Sequence, residues 1–358
     1  MVSPESSAGQ PSVSLLLPNR DNETVLGLVL DRLAENTTYP RVELVAVDDG
    51  STDGSREILR RWRDAGRFAS FKLLEREHGG AIEALNAGLE AAEGEVVVQL
   101  DADASIETPG WIERMLPLLM LDERVGVVTG KIVMDSGLIH ACGVNLVSPE
   151  GFHDRPSRIT ESVGRRTSHQ RVDRFHEGTT EEEGRLAEVD SGIGCCLMYR
   201  RADALAVGGY DTGFSPVWFD DLDLCLSIRK RGKKVFFTPD VRVIHQFELR
   251  ARKPVAPIGA RHSLVQRAWR VAVRAGSVFS QPTRAAMARR VGLNRLRHHY
   301  AYWQEKWGWD MLNPDLDEVR RRHGDSEVCW ALDPERKAVG EALIETFQGP
   351  RSALRGVR

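Results

Sequence analysis

Short apolar runs alternate with amphipathic segments along the first hundred residues of the chain. Four runs, each closed by polar residues, fit buried strands: residues 13–17, 43–47, 71–74 and 95–100. Between them, the spacing of apolar side chains predicts helices over residues 23–35, through residues 58–62, and from Gly80 to Gly94. Strands that alternate with helices through short connections predict an α/β fold, with a mostly parallel central sheet covered by helices on both faces.

The pattern lapses over residues 148–188, which are rich in Gly, Arg, Ser, His and Glu. This composition predicts a long flexible loop or an insertion, and a stretch of that length in a compact domain usually serves as a lid. Further along, the apolar runs predict strands at residues 189–199, 235–237 and 241–244, with helices at 202–207 and after Asp220.

Three units follow from these patterns. Residues 1–11 are polar and predict a disordered N-terminus, and residues 12–250 carry the strand and helix pattern of one α/β domain. Residues 251–358 have helical spacing and predict a mainly helical C-terminal extension.

Polar residues follow three of the predicted strands at the point where each strand ends. Pro18 follows the first strand, Asp49 the second, and Asp101-Ala102-Asp103 the fourth. In parallel α/β sheets, ligands bind outside the carboxyl ends of the strands. We therefore expect these residues to converge on one crevice.

The Asp-Ala-Asp triplet suits a reaction in which a diphosphate leaves. The leaving group gains negative charge, which a divalent cation such as Mg²⁺ or Mn²⁺ can neutralise, and such cations accept carboxylate ligands. Asp101 and Asp103 can therefore serve a nucleotide and a metal ion, while Asp49 can accept hydrogen bonds from a base or ribose. His245 follows a short strand, where it could complete the metal shell or contact diphosphate, although a packed histidine is the common alternative.

Asp220 and Asp221 precede a predicted helix next to Trp218 and Phe219. The helix N-terminus favours carboxylates, and aromatic neighbours that exclude water can raise a carboxylate pKa. An acceptor hydroxyl needs a general base at neutral pH, and these two acids are the candidates. Acids at a helix start are also common caps.

Composition adds limits. The apolar share of 41% predicts a sizeable core, and five cysteines without a CxxC pair argue against a disulfide framework or structural zinc site. No apolar run approaches the roughly 20 residues of a membrane span, so we expect a cytoplasmic protein without a transmembrane segment. Residues 242–300 hold thirteen Arg or Lys and one acid. This basic segment leaves peripheral contact with a membrane or an anionic partner open.

The motifs together resemble family 2 glycosyltransferases. The matching segments are Val13-Ser-Leu-Leu-Leu-Pro-Asn-Arg, Val45-Ala-Val-Asp-Asp-Gly-Ser, Ala84-Leu-Asn-Ala-Gly-Leu, Val98-Gln-Leu-Asp-Ala-Asp, Gly208-Gly-Tyr-Asp and Phe219-Asp-Asp-Leu-Asp-Leu. The resemblance covers residues 12 to 250. It implies a Rossmann-like GT-A fold, a nucleotide-diphosphate-sugar donor, a divalent metal (Mn²⁺ or Mg²⁺) and inversion at the anomeric carbon.

Carried over by position, the resemblance implies roles for individual residues. Asp49 contacts the base, Asp101 and Asp103 serve nucleotide and metal, and Asp221 is the general base. Pro18 and Arg20 lie in the first donor-binding motif. Asp220 stands where the family commonly has Glu, so which acid of the pair acts is open.

Two other classes remain as alternatives. Sugar-phosphate nucleotidyltransferases share this architecture but open with a glycine-rich loop, which residues 17–20 lack. A non-catalytic nucleotide-sugar-binding protein would tolerate the loss of Asp221, which is retained. We expect no nucleic-acid partner, and a homodimer is open. The acceptor is a hydroxyl or amine on a small molecule, a glycan, a lipid-linked group or a carrier protein.

Overall fold

The structure is a computed structural model that describes residues 9–135, 137, 139–144, 184–246, 249–250, 298–308 and 342–348. Most of the predicted disordered N-terminus and most of the predicted loop at 148–188 lie outside the described residues. So do most of the basic segment at 242–300 and most of the C-terminal extension. Within that extension, residues 298–307 and 342–348 are helical.

The first half of the chain forms a parallel sheet with its helices, as predicted. Its elements are β1 (Val13–Asn19), α1 (Glu23–Asn36), β2 (Val42–Asp49), α2 (Ser55–Asp64), β3 (Ser70–Arg76), α3 (Ala81–Ala91) and β4 (Val96–Gln99). The strand order is β3-β2-β1-β4, and all three pairs are parallel. Crossover helices between adjacent parallel strands bring all four carboxyl ends to one edge.

The second half of the chain extends this sheet in a mixed way. Its elements are β5 (Ala104–Ile106), α4 (Trp111–Leu119), β6 (Val125–Met134), β7 (Ile139–Ala141), β8 (Ala187–Val189), β9 (Leu197–Arg200), α5 (Arg201–Leu205), α6 (Asp220–Lys230) and β10 (Lys234–His245). The order continues β4-β9-β6-β10-β5, with β9 antiparallel to both neighbours and β6 parallel to β10. The predicted α/β class is confirmed, and its parallel part consists of the first four strands together with the β6–β10 pair.

Two strand predictions in this half are wrong in their bounds. The predicted strand over residues 189–199 is two strands, β8 and β9, separated by a loop over residues 190–196. Gly192 and Gly194 lie in this loop, and a Cβ atom on Gly192 would approach Leu197 Cδ2 to 2.4 Å, so the loop packs where no side chain fits. The last residues of the predicted long loop, Ala187 and Glu188, belong to β8.

The two short strands predicted at residues 235–237 and 241–244 are one strand, β10. Pro239 lies inside it. Pairing with β6 shifts register between Phe237 and Arg242, so the proline lies at an irregularity of the ladder, where its missing N–H leaves no regular ladder hydrogen bond unmade.

Apolar residues cover both faces of the sheet. Along β1, Leu15 and Leu17 point into a core shared with α1 and α4, whereas Leu16 points into a core shared with α3 and α6. Trp303, from the helical residues 298–307, is fully buried in the second core. No helix in the described part of the chain has the length and apolarity needed to cross a membrane.

Candidate active site

A cleft of about 760 Å³ opens at the carboxyl ends of β1, β2 and β4. Every side chain that the sequence predicts for the site lines it: Pro18, Arg20, Asp49, Asp101, Asp103, Asp220, Asp221 and His245. The described residues at the strand ends therefore converge on one cleft, as expected.

The two adjacent acids at the end of β2 have different surroundings. Asp48 is fully buried, and its carboxylate accepts hydrogen bonds from Asn19 Nδ2, the Ser51 amide and Arg56 Nε. Those contacts hold the turn after the strand, so Asp48 is the structural member of the pair. Asp49 instead faces the cleft.

Asp49 is also bound by the protein itself. Its carboxylate accepts hydrogen bonds from the amides of Gly79 and Gly80, both at 2.9 Å, and lies 2.7 Å from His78 Nδ1. Gly80 has φ +112, which a residue with a side chain rarely adopts. Asp49 therefore fixes the start of α3 as well as the wall of the cleft.

The acidic triplet after β4 contains two carboxylates in unlike environments. Asp101 accepts a hydrogen bond from Cys195 Sγ at 3.2 Å, and burial together with the Asp103 charge raises its pKa to about 6. Asp103 is buried, lies 2.5 Å from Arg250 Nη1 and 3.4 Å from His245 Nε2. Burial raises the pKa of Asp103, but these two cationic partners outweigh it and hold the pKa at about 2.

His245 reaches the triplet from the end of β10. Its Nδ1 atom lies 3.2 Å from Nδ1 of His140, and the two rings stack with centroids 5.2 Å apart. One Nδ1 must donate and the other accept. A His245 that donates there binds Asp103 through Nε2–H when the ring is protonated, and offers the Nε2 lone pair to a metal ion when the ring is neutral.

Asp101, Asp103 and His245 meet part of the requirements for binding a divalent cation. Two carboxylates and an imidazole are ligands that Mn²⁺ accepts, and Mg²⁺ is commonly held by one or two carboxylates plus substrate phosphates. Within the described ranges, no three His, Cys, Asp or Glu side chains converge closely enough to enclose an ion by themselves. Arg250 shares Asp103, so a cation held here would compete with that ion pair.

The candidate base lies on the opposite wall, at the start of α6. Asp221 accepts hydrogen bonds on both oxygens, from the Gly194 amide at 2.9 Å and the Leu222 amide at 2.7 Å. Burial raises its pKa, and these amides oppose the shift. A Cβ atom on Gly194 would lie 3.4 Å from Asp101 Oδ1, so Gly194 joins the acidic triplet to the candidate base.

Sequence reasoning missed a chain of buried hydroxyl and amide groups behind Asp220. Tyr199 and Tyr210 share a hydrogen bond of 2.6 Å, and Tyr210 OH donates to Gln99 Oε1 at 2.9 Å. The Gln99 amide in turn hydrogen-bonds Asp220, whose pKa is raised to about 8 by burial and by the charges of Asp221 and Asp101. The signal for Gln99 was present: it is the one polar residue in the apolar run 96–100.

A second missed feature is the support beneath α6. Lys306 Nζ donates to Asp211 at 2.5 Å and to Asp223 at 2.8 Å, and Trp307 Nε1 donates to Asp223 at 2.9 Å. Asp223 therefore holds the helical residues 298–307 against α6. Nothing local in the sequence predicts this contact.

Fold and site together define an α/β protein with an acidic cleft at the carboxyl edge of its sheet. The chain matches the family "Glycosyl transferase family 2" over residues 14–204 and belongs to that family. The predicted class is thereby confirmed.

Relatives and solved structures agree with this assignment. The chain is 27% identical over 252 residues to the O-antigen biosynthesis protein RfbC of Myxococcus xanthus, covering 70% of this chain and 18% of that protein. It is equally similar to the uncharacterized protein y4gI of Sinorhizobium fredii, of which it spans 24%. The chain thus spans about a quarter or less of these two relatives.

Among solved structures, the chain is similar to the crystal structure of GalNAc-T7 with UDP, GalNAc and Mn²⁺. The TM-score is 0.54 at 15% identity, and the match covers 92% of this chain and 57% of that one. At this identity the likeness concerns the fold, and the predicted GT-A architecture is confirmed.

Proposed function

We propose that this chain transfers a sugar from a nucleotide-diphosphate sugar to an acceptor hydroxyl or amine, with a requirement for Mn²⁺ or Mg²⁺ and with inversion at the anomeric carbon. The observation that carries the proposal is that the acidic triplet and Asp221 face one cleft and are joined through Gly194. One wall can hold the diphosphate end of a donor while the other takes a proton from an acceptor.

The donor lies along the carboxyl ends of β1, β2 and β4. Pro18, Arg20 and Asp49 border the part of the cleft next to β1 and β2, where the nucleoside fits. A divalent cation held by the carboxylates of Asp101 and Asp103 together with the donor phosphates, with His245 beside them, would neutralise the charge that develops on the leaving diphosphate. Arg250, released from Asp103, would add a second positive charge there.

The acceptor lies near the start of α6. Asp221 takes the proton of the acceptor hydroxyl while the acceptor oxygen bonds to the anomeric carbon and the bond from that carbon to the diphosphate oxygen breaks. The amides of Gly194 and Leu222 fix the orientation of the Asp221 carboxylate, and the raised pKa of Asp221 favours proton uptake. Attack opposite to the leaving group inverts the anomeric carbon.

Asp220 supports this arrangement from behind. Its hydrogen bond to Gln99 and its raised pKa place a second, readily protonated carboxyl next to Asp221, which limits the negative charge at the base when both are buried. The cytoplasmic location and a homodimer stay predictions.

The test is turnover of nucleotide sugars by the full chain. Thermal-shift measurements with UDP-, GDP- and dTDP-sugars, each with Mn²⁺, Mg²⁺ or EDTA, select the donor. Release of nucleoside diphosphate from that donor then measures turnover, and Asp103→Ala should lower it by about 10²–10³-fold.

Asp122→Ala is the matched control for Asp103→Ala. Asp122 is likewise paired with an arginine, Arg124 at 2.8 Å, and its pKa is likewise lowered to about 2, but it lies outside the cleft. Turnover should stay at the wild-type rate in this variant. Turnover that survives both EDTA and Asp103→Ala would exclude the metal assignment, and a lack of stabilisation by every nucleotide sugar would exclude the donor.

A further inference from the structure

Trp218 is a large apolar side chain that the fold leaves in solvent. It is 48% exposed and lines the cleft three residues before Asp221, on the wall where the acceptor would lie. Single exposed apolar residues are common on protein surfaces. This one differs because its backbone conformation is unfavourable.

Trp218 and Phe219 both have left-handed backbone conformations, with φ of 80° and 70°. For bulky residues such angles are outliers that carry backbone strain. For Phe219 the reason is visible. Its ring is buried and lies 5.5 Å from the centroid of Phe214 and 5.6 Å from that of His299.

Trp218 gains no comparable burial from its conformation. The inward turn of Phe219 directs the preceding side chain outward into the cleft. A glycine or asparagine would adopt the same backbone at lower cost. A strained and exposed tryptophan at the rim of a site is therefore better explained by a ligand than by folding.

The surrounding loop holds this position on both sides. Beneath it, His299 Nε2 lies 2.7 Å from the Phe214 carbonyl, and Lys306 secures the neighbouring helix. Above it, Gly80 packs so closely on Pro216 that a Cβ atom there would lie 2.6 Å away. The indole is thus presented from a fixed loop, which lowers the entropy lost on binding.

We propose that Trp218 forms an acceptor subsite for a saccharide, with the apolar C–H face of a pyranose ring stacked on the indole. A pyranose has one apolar face and a rim of hydroxyls, which matches one exposed aromatic ring beside carboxylates. A lipid chain needs a continuous apolar surface, whereas the apolar residues of the cleft near Trp218, such as Pro216, Val217 and Phe219, adjoin the carboxylates of Asp220 and Asp221. This inference rests on the proposed glycosyl transfer and names the class of its acceptor.

The experiment is saturation-transfer NMR on the full chain with Mg²⁺ and the nucleoside diphosphate of its donor. The probes are methyl glycosides and disaccharides of glucose, galactose, mannose, rhamnose and N-acetylglucosamine, with octanol and dodecylphosphocholine as alkyl probes. We expect some saccharides to bind with saturation strongest on the C–H protons of one ring face. Trp218→Phe should keep this binding, and Trp218→Gly should weaken it about tenfold or more.

Stability separates a ligand role from a structural one. Because glycine tolerates the left-handed conformation, Trp218→Gly should leave the Tm unchanged or raise it by about 1–2 °C. A Tm lowered by several degrees would mean that the indole serves the fold and would overturn the proposal. So would equal saccharide binding by Trp218→Gly, or binding of the alkyl probes alone.

The same experiment distinguishes a failure of the acceptor inference from a failure of the proposed function. If the wild-type chain binds nucleotide and Mg²⁺ but no saccharide, the acceptor inference is wrong while the donor assignment stands. If it binds no nucleotide, the proposed function itself is wrong.

Discussion

The two walls of the cleft are built in different ways. The donor wall consists of the carboxyl ends of β1, β2 and β4, and the turn after β2 is held by local contacts, such as those of Asp48 with Ser51 and Arg56. The acceptor wall consists of Gly194, from the loop at residues 190–196, and the start of α6, and the helical residues 298–307 support it from outside the cleft. Its contacts link distant residues, such as Trp307 with Asp223 over 84 positions.

The two walls therefore differ in what places their functional side chains: the ends of strands on the donor wall, and tertiary packing on the acceptor wall. On the donor wall, each functional side chain follows its own buried strand, so the sheet alone brings the residues together. On the acceptor wall, Asp221 is oriented by Gly194, and its helix is held by Lys306. We therefore expect turnover to depend on residues outside the cleft that support the acceptor wall. On the donor wall, we expect it to depend mainly on the residues that line the cleft.

The largest expected effect is a loss of sugar transfer on the acceptor wall while the donor wall still binds nucleotide. Asp221→Asn should lower sugar transfer by about 10²–10⁴-fold, because the acceptor proton loses its base, while nucleotide binding persists on the donor wall. Asp220→Asn should cost less, since Asp220 does not take that proton. Transfer rates and nucleotide dissociation constants measure the two effects.

Both carboxylate oxygens of Asp221 accept a hydrogen bond from a backbone amide, and an asparagine side chain can keep only one of these two hydrogen bonds. The Tm of each variant is therefore the control. If Asp221→Asn transfers sugar at nearly the wild-type rate and Asp220→Asn does not, the base assignment moves to Asp220.

Two lysines test whether the acceptor wall depends on contacts with residues far away in the chain. Lys306 bridges Asp211 and Asp223, and Lys72 bridges Glu43 and Glu93, with side chains 27% and 31% exposed respectively. Lys306→Met leaves the buried Asp223 with less compensation and should cost about 2 kcal/mol, or about 4–6 °C in Tm. Turnover measured well below that Tm should fall about tenfold as α6 loosens.

Lys72→Met is the matched variant on the donor side of the sheet, away from the cleft. It should lower the Tm in the same direction and leave turnover unchanged. Equal losses of turnover in both variants would show that the acceptor wall does not depend on the helical residues 298–307 in particular.

The smallest expected effect is on the pH dependence of stability. Burial raises the pKa of Asp220 to about 8, so the folded protein holds this proton more tightly than the unfolded chain, where an Asp titrates near about 3.9. The resulting stabilisation is complete below that lower pH and is lost as the pH rises through about 8. The contribution of Asp220 to the wild-type Tm should therefore decline from about pH 4 to about pH 8 and level off above that.

Asp220→Asn removes this titration and should decline less over the same range, as thermal unfolding at a series of pH values would measure. A wild-type and a variant curve that run parallel would mean that Asp220 is ionised throughout, contrary to its burial beside Asp221.

The residues of the candidate site were largely predictable, whereas their partners were not. Asp49, Asp101 and Asp221 follow apolar runs or precede a helix, and such positions are readable from hydrophobic periodicity. Gly194 was hidden inside a predicted strand, because its surroundings are apolar and its role depends on a close approach to Gln99. Arg250 meets Asp103 over 147 positions, a distance that no local pattern encodes.

By itself, the sequence determined the strands of the donor wall, the acidic residues at their ends, and the family to which they belong. These features depend on short-range periodicity and on the rule that parallel strands share their carboxyl edge. Only the tertiary structure decided that Asp48 is structural while Asp49 faces the cleft, and that Trp218 is turned outward while Phe219 is buried. Those outcomes depend on burial and on hydrogen bonds between residues far apart in the chain, which the order of residues alone does not fix.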